Sequence, residues 1–299
     1  MPAFKSASDY QRVRDAMRFT HGYPHSGKHF FVNAVTGSTA ATYGYTPDAP
    51  LTTIDAAIGY CTAANGDVIH ILPGHTDTVS GAGTIAADVS GVTFQGHGNG
   101  RNRPVISWTT AIGAQMTVSA ANVTFRNLVM DFTGFDAITA AISVTGADVV
   151  FEDCDFITNS ATAGVVLGIL TAATATRFRV SRCRFLGTFA NTGTTTTAQI
   201  KHEVGVNFLI EDSYFCGKMT QAILNATTIT NGHIDNNRFH VGTGTVAITM
   251  ETSSAGLISR NVACVASGTA PYAGAAMSYS QNHYTTEANG PTAGTADAI

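Results

Sequence analysis

Charge is scarce in this chain. Only 12% of its 299 residues are Asp, Glu, Lys or Arg, about half the share of an ordinary soluble domain. A helical bundle or coiled coil, built on Lys, Glu, Leu and Arg, is excluded by that count. Basic surplus is absent too: 16 Lys and Arg face 20 Asp and Glu, for a net charge of −4. This speaks against nucleic acid as a partner, because phosphate tracking needs a dense basic face. Cysteines number five (Cys61, Cys154, Cys183, Cys216 and Cys264), widely spaced and without a CxxC pair. That pattern argues against a disulfide framework and against a zinc site. No apolar run approaches the eighteen or so residues of a membrane span, so no membrane contact is expected. The N-terminal MPAFKSASDYQRVRDAMRF shows no apolar signal core, and the cysteine pattern makes a reducing cytoplasm the expected place of synthesis. What fills the chain is a 44% hydrophobic share set among Thr, Ser, Gly and Asn, a composition suited to β-structure.

Internal repetition organises most of the sequence. Seven segments align: VTFQGHGN (92–99), VTFRNLVM (123–130), VVFEDCDF (149–156), FRVSRCRF (178–185), FLIEDSYF (208–215), GHIDNNRF (232–239) and GLISRNVA (256–263). Their starts lie 31, 26, 29, 30, 24 and 24 residues apart, the loose period of a solenoid whose turns carry insertions. The third column reads Phe94, Phe125, Phe151, Val180, Ile210, Ile234, Ile258. The eighth reads Met130, Phe156, Phe185, Phe215, Phe239, Ala263 from the second segment on. Both must point inward, yet they differ in parity, and a strand keeps its inward side chains at one parity. The chain must therefore turn a corner between them, near columns four and five, where Glu152-Asp153, Glu211-Asp212 and Asp235-Asn236 are suitable turn residues.

A further apolar segment precedes each unit, for example Ile142/Val144, Leu167/Ile169 and Val246/Ile248. Three short strands per coil, with no helix between them, is the arithmetic of a parallel β-helix. Column six reads Cys154, Cys183, Ser213, Asn237, Asn261, which suits an internal ladder of small polar side chains. Cys154 and Cys183 are then stacked interior thiols rather than a redox pair.

On these residues the sequence resembles the right-handed parallel β-helix superfamily with the pectin-lyase-like fold, over about residues 30–280. The opening FFVNAVTGSTAATYGYTPDAPLTTIDAAIGYCTAANGDVIHILPGH looks like the start common in β-helix proteins of phages and polysaccharide-active enzymes. There the resemblance implies a short helix plugging the first coil. Thr52 and Asp55 form a capping-box-like start, Ile54, Ile58 and Cys61 share a face, and Asn65-Gly66 ends it, so a capping helix is expected over about 52–64. The expected fold class is all-β: a right-handed parallel β-helix solenoid with a short N-terminal capping helix and a basic N-terminal arm.

Three regions follow: a basic arm at 1–29, the β-helix at 30–280 and a polar tail at 281–299. In the arm, Lys5, Arg12, Arg14, Arg18 and Lys28 face Asp9 and Asp15, giving +3, while the remainder carries −7. Ser8 with Gln11, and Tyr10, Val13 and Met17 on one face, suit a short helix there. The five basic residues are the expected partner-binding set, docking on an acidic protein surface such as a major capsid protein.

Enzymes of the resembled superfamily work with clustered carboxylates, or with calcium held by acids and a basic residue. Gly96-His97-Gly98 resembles the GHG of polygalacturonases, but the aspartates that accompany that motif are missing. Glu152, Asp153, Asp155, Glu211 and Asp212 stand among Arg177, Arg179, Arg182 and Arg184. Column five alternates Asp153, Arg182, Asp212 and column seven starts Asp155, Arg184, which reads as cross-strand charge pairing rather than a calcium site. Gln199-Ile200-Lys201-His202-Glu203 is similar to the RIK of polygalacturonases without its arginine. The lone tryptophan, Trp108, is a poor allowance of sugar-stacking surface.

The expectation is therefore a chain with no catalytic residue, cofactor or metal: a structural protein of a tailed-phage virion, most simply a head-decoration (cement) protein forming homotrimers. A polysaccharide lyase or glycosidase, a host-glycan-binding tail spike and a surface adhesin stay open as alternatives.

Overall fold

The computed structural model describes residues 27–109, 113–133, 138–158, 166–187, 196–203, 205–241, 246–265, 271–286 and 294–295. Lys5, Arg12, Arg14, Arg18 and the short helix expected around Tyr10 lie outside them. The described chain winds as a right-handed parallel β-helix of about 7 turns. Three long sheets of ten, ten and eight strands run along it. Each coil visits them in a fixed order. The strand Val150–Glu152 lies in the first sheet, Asp155–Thr158 in the second and Leu167–Thr171 in the third. The following coil repeats this with Arg179–Ser181, Arg184–Gly187 and Thr196–His202.

The columns of the repeat are the stacks of the core. Phe94, Phe125 and Phe151 face one another in register in the first sheet. Their rings stack at 4.6 and 4.9 Å. In the second sheet Phe156, Phe185, Phe215 and Phe239 form one continuous stack with ring centroids 4.4, 4.5 and 5.0 Å apart. These spacings are close to the strand separation in a sheet, so successive coils place identical rings at contact distance.

The corner between first and second sheets has a backbone cause. Column five holds the left-handed region in coil after coil: Asn127, Asp153, Arg182, Asp212, Asn236 and Arg260 all have φ between 51° and 55°. Asn and Asp tolerate this region because their short side chains bond locally. The corner thus falls on columns five and six, one position later than the sequence suggests, since Glu152, Glu211 and Asp235 still belong to strands.

Column six lines the inside of that corner, where each side chain serves the coil before it. Asn237 Nδ2 donates to the Ile210 carbonyl, Asn261 Nδ2 to Ile234 and Asn282 Nδ2 to Ile258, at 2.8–2.9 Å. The Asn261 Oδ1 accepts from the Asn237 amide at 2.9 Å and the Asn282 Oδ1 from the Asn261 amide at 3.0 Å. Cys154 and Cys183 occupy the same place and direct their thiols at the Phe125 and Phe151 carbonyls. They are free thiols, and burial pushes the Cys183 thiol well up from its ordinary range, with Cys154 adding to it. Both are packing residues of the ladder.

The helix expected over 52–64 is much shorter. It covers Ile54–Ile58, with Thr53 rather than Thr52 at its N-cap, where Thr53 Oγ1 accepts from the Ala56 amide at 3.2 Å. It stops at Gly59, well before Asn65-Gly66. Ile54, Ala57 and Ile58 are buried, so the apolar periodicity is satisfied within a turn and a half. The first strand, His29–Val32, pairs with Val68–Ile71, and the solenoid continues beyond residue 280. Met277–Ser280 and His283–Thr286 add a further coil, with Gln281 left-handed at φ 54°. A short antiparallel strand, Gly294–Thr295, pairs with His283 and Tyr284. No helix among the described residues is long and apolar enough to cross a membrane.

Candidate functional site

The densest charge on the described surface follows the corner between the first and second sheets. Column four and column seven flank the left-handed residue, so their side chains project outward on either side of it. Successive coils lie one strand spacing apart, about 4.8 Å, which is within the reach of arginine.

The carboxylates of this ridge, Asp212 apart, are taken by arginines. Asp155 receives Arg103 Nη1 at 2.7 Å from one side and Arg184 Nε at 2.8 Å from the other. Arg103 is itself nearly buried and donates further to the carbonyls of Leu128 (2.9 Å) and Asp153 (2.7 Å). Glu152 lies between Arg126 and Arg182, and Arg182 also grips Asp153 through Nε at 2.9 Å. Arg179 holds Glu211, Arg177 holds Asp148 and Arg260 holds Asp235. The expected Asp153–Arg182–Asp212 alternation is thus half realised. Asp212 turns to the Asn236 amide group at 2.6 Å instead.

The pairing sets the protonation of Glu152 and Asp235. Partial burial works against the Glu152 carboxylate, but the Arg182 and Arg126 guanidiniums outweigh it and hold its pKa below the ordinary value. Arg260, helped by the Ser259 hydroxyl, does the same for Asp235. In turn the carboxylates of Asp153 and Glu152 raise the Arg182 guanidinium. Groups of this kind are charged at neutral pH and are poor proton donors. Their folded pKa lies below the unfolded value, so their stabilisation is present above the ordinary carboxylate pKa of about 4 and is lost as pH falls through the folded one. The ion pairs of Glu152 and Asp235 should therefore survive to pH 5 and open only in stronger acid. Carboxyl carbon shifts of Glu152 and Asp235 across pH 2–7 check this. Midpoints above 5 would contradict it.

The other candidate motifs separate in space. His97 carries its Nε2 to His70 Nδ1 at 2.8 Å, and Gly96 and Gly98 offer their carbonyls to Asn127 Nδ2, both at 3.1 Å. In the 199–203 segment, Lys201 Nζ donates to Glu203 Oε1 at 2.8 Å, while His202 is interior against Thr171 Oγ1. Burial pushes the His202 pKa down to about 4. Trp108 is 3% exposed, donates to the Ala141 carbonyl at 3.1 Å and meets Phe132 edge-on. It is a core residue and offers no sugar platform. Of the five basic residues expected to bind a partner, Lys28 is described. It is exposed, and its backbone amide donates to Asp67 Oδ1 at 2.6 Å. Among the described residues no group of three or more His, Cys, Asp and Glu is arranged to hold a metal ion.

A chain of imidazoles escapes sequence reasoning. His29, His70 and His97 are linked in series by two N···N hydrogen bonds of 2.8 Å. Only the parallel register brings them together, across 41 and 27 residues of sequence.

The geometry defines the class: the chain has the pectin-lyase-like parallel β-helix fold. Comparison with solved structures agrees. Pectate lyase Pel9A superposes with a TM-score of 0.53 at 14% identity, over 80% of this chain and 64% of that one. A rhamnogalacturonan lyase gives 0.43 at 14% identity over 80% and 74%. A Geobacillus virus E2 protein, ORF18, gives 0.31 at 13% identity over 94% and 64%. The chain thus spans less than two thirds of the length of the pectate lyase. No family model and no curated protein matches the sequence. At such identities the likeness concerns the fold, which hosts many unrelated activities.

Proposed function

We propose that the chain is a non-enzymatic structural protein of a tailed-phage virion, a capsid decoration protein standing on the particle as a homotrimer. The observation that supports a structural role is the arginine-saturated corner. The carboxylates best placed for chemistry, Glu152 and Asp155, each bind two guanidiniums. A general acid of this fold needs a raised pKa, and Glu152 is shifted the opposite way. A calcium ion would have to displace the arginines. Cross-strand pairs of this sort stabilise a sheet by about 0.2–1 kcal/mol each, which suits a shaft.

The virion assignment draws on the likeness of the opening segment to phage β-helix proteins and on the charge division of the chain. A basic arm holding Lys5, Arg12, Arg14, Arg18 and Lys28, with +3 against −7 for the rest, suits docking on an acidic shell with the shaft outward. Flanks poor in charge pack against copies of themselves with little desolvation cost, and cyclic symmetry closes such a contact.

Two measurements test the reading. Incubation with pectate, capsular polysaccharide and lipopolysaccharide should release no unsaturated or reducing ends. Turnover removed by Asp153→Ala or Asp155→Ala in folded protein would place the chain among the lyases and hydrolases instead. Deleting residues 1–29 should leave a soluble β-helix that no longer co-sediments with particles, and replacing Arg12, Arg14 and Arg18 by Glu should weaken docking and its salt dependence. Full occupancy by the truncated protein would refute the anchoring arm.

A further inference from the structure

Two strands at the N-terminal end of the first sheet are buried on both faces. In His29–Val32 and Val68–Ile71, the side chains of Phe30, Val32, Ile69 and Ile71 join the core. The alternate residues His29, Phe31, Val68 and His70 therefore face outward. Yet these four are only 2–3% exposed. On later coils the same two columns are half-buried, at Thr93, Gln95, Val150 and Glu152. Val68 and Val150 are the same residue in the same column, each with a strand on either side. Strand neighbours alone thus do not bury this position, and Val68 is covered from outside the sheet.

Among the described residues, no helix or strand supplies that cover. The helix Ile54–Ile58 packs with Phe30 and Val32, on the core side. The stretch 44–51 runs along the free edge of the first strand, where the Phe31 amide donates to the Gly44 carbonyl and the Leu51 amide to the Phe31 carbonyl, both at 2.8 Å. From residue 110 onward, nearly all the undescribed stretches join a second-sheet strand to a third-sheet strand, at the corner opposite the first sheet. Residues 1–26 alone adjoin the patch in sequence. They lead into Gly27, where a Cβ would lie 2.3 Å from the Gly66 backbone. The next amide, of Lys28, donates to Asp67, the residue before Val68. The segment is thus delivered to the edge of the covered face.

We propose that residues 1–26 fold back over the outer face of the first sheet and seat on Phe31 and Val68, between the rings of His29 and His70. The sequence supplies a matching apolar surface, because Tyr10, Val13 and Met17 recur at helical spacing. Residues 18–26 are long enough to return it to the patch, since such a stretch can extend about 30 Å. The seat does not depend on what the arm binds. It makes the arm part of the shaft rather than a free tether. A partner that engages Arg12, Arg14 and Arg18 then meets them at one fixed place on the β-helix.

Trypsin reads the seat in the full chain, because cleavage after Arg12, Arg14 and Arg18 follows the fraction of time the arm is lifted. These bonds should be cut about tenfold or more slowly than in the free peptide 1–28. Val68→Ser should speed the cutting about tenfold, the equivalent of one buried valine. Val150→Ser, in the same column away from the patch, should leave the rate unchanged. Tyr10→Ser combined with Met17→Ser frees the arm without touching the shaft, and should act as Val68→Ser does. Wild-type bonds cut at the peptide rate would overturn the seat. So would equal effects of Val68→Ser and Val150→Ser, or protection that survives either arm or patch variant in folded protein. Protection that falls on dilution would assign the cover to the arm of a second copy, and would overturn the assignment to the chain's own.

Discussion

Replacing Phe185 by alanine should lower stability by about 3–5 kcal/mol, the range for aromatic truncation in a core. Phe185 is fully buried and stands in the middle of the stack of the second sheet, 4.4 Å from Phe156 and 4.5 Å from Phe215. Its removal takes away the apolar area of one ring and opens a void that both neighbours face. The strands on either side are fixed in register by the corner ladder, through Cys183 on one coil and Ser213 on the next. The site therefore has little freedom to collapse, which favours the upper part of the range. Phe239, at the end of the stack and 3% exposed, should lose less on the same change. Denaturant unfolding followed by circular dichroism checks both. A loss under 1 kcal/mol at Phe185 would mean the stack is not a core element.

Asp155→Ala should be comparably costly, at about 3–5 kcal/mol, because it strands a buried cation. Arg103 and Asp155 have side chains 9% and 10% exposed, whereas Arg184, the second partner, is 57% exposed and is easily rehydrated. The penalty thus belongs to Arg103. Adding Arg103→Met to an Asp155→Leu chain should recover part of it, since an apolar pair can replace a buried ion pair. Recovery should stay incomplete, because Arg103 also serves the Leu128 and Asp153 carbonyls. The same variants bear on function. A structural Asp155 predicts loss of stability with no enzymatic activity to lose. An Asp155→Ala protein of unchanged stability that loses polysaccharide cleavage would assign the residue to catalysis.

The stacked columns were legible in the sequence because a solenoid writes the same position once per coil. Phe156, Phe185, Phe215 and Phe239 could be aligned without knowing the insertions between them. The corner was misplaced by one residue because its marker is backbone conformation. Asn and Asp advertise the left-handed region, but Arg182 and Arg260 do not, and they hold it with ion pairs to the preceding coil. The last coil was hidden for a similar reason. MSYSQNHY (277–284) carries Gln281 at the left-handed position and tyrosines in the aromatic columns. Asn282, continuing the Asn237–Asn261 ladder, was the available signal. The helix was overdrawn because apolar periodicity from Ile54 to Cys61 outlasts the hydrogen-bonded turn. The imidazole wire had no sequence signal, since its members sit in different columns and meet only through parallel register.

Antibody labelling of particles purified from cells that make the protein tests the central claim most directly. Gold label against the β-helix should decorate the capsid shell at regular positions and should be lost when residues 1–29 are deleted. Protein found only in the soluble fraction, with no particle labelled at any site, would contradict the account.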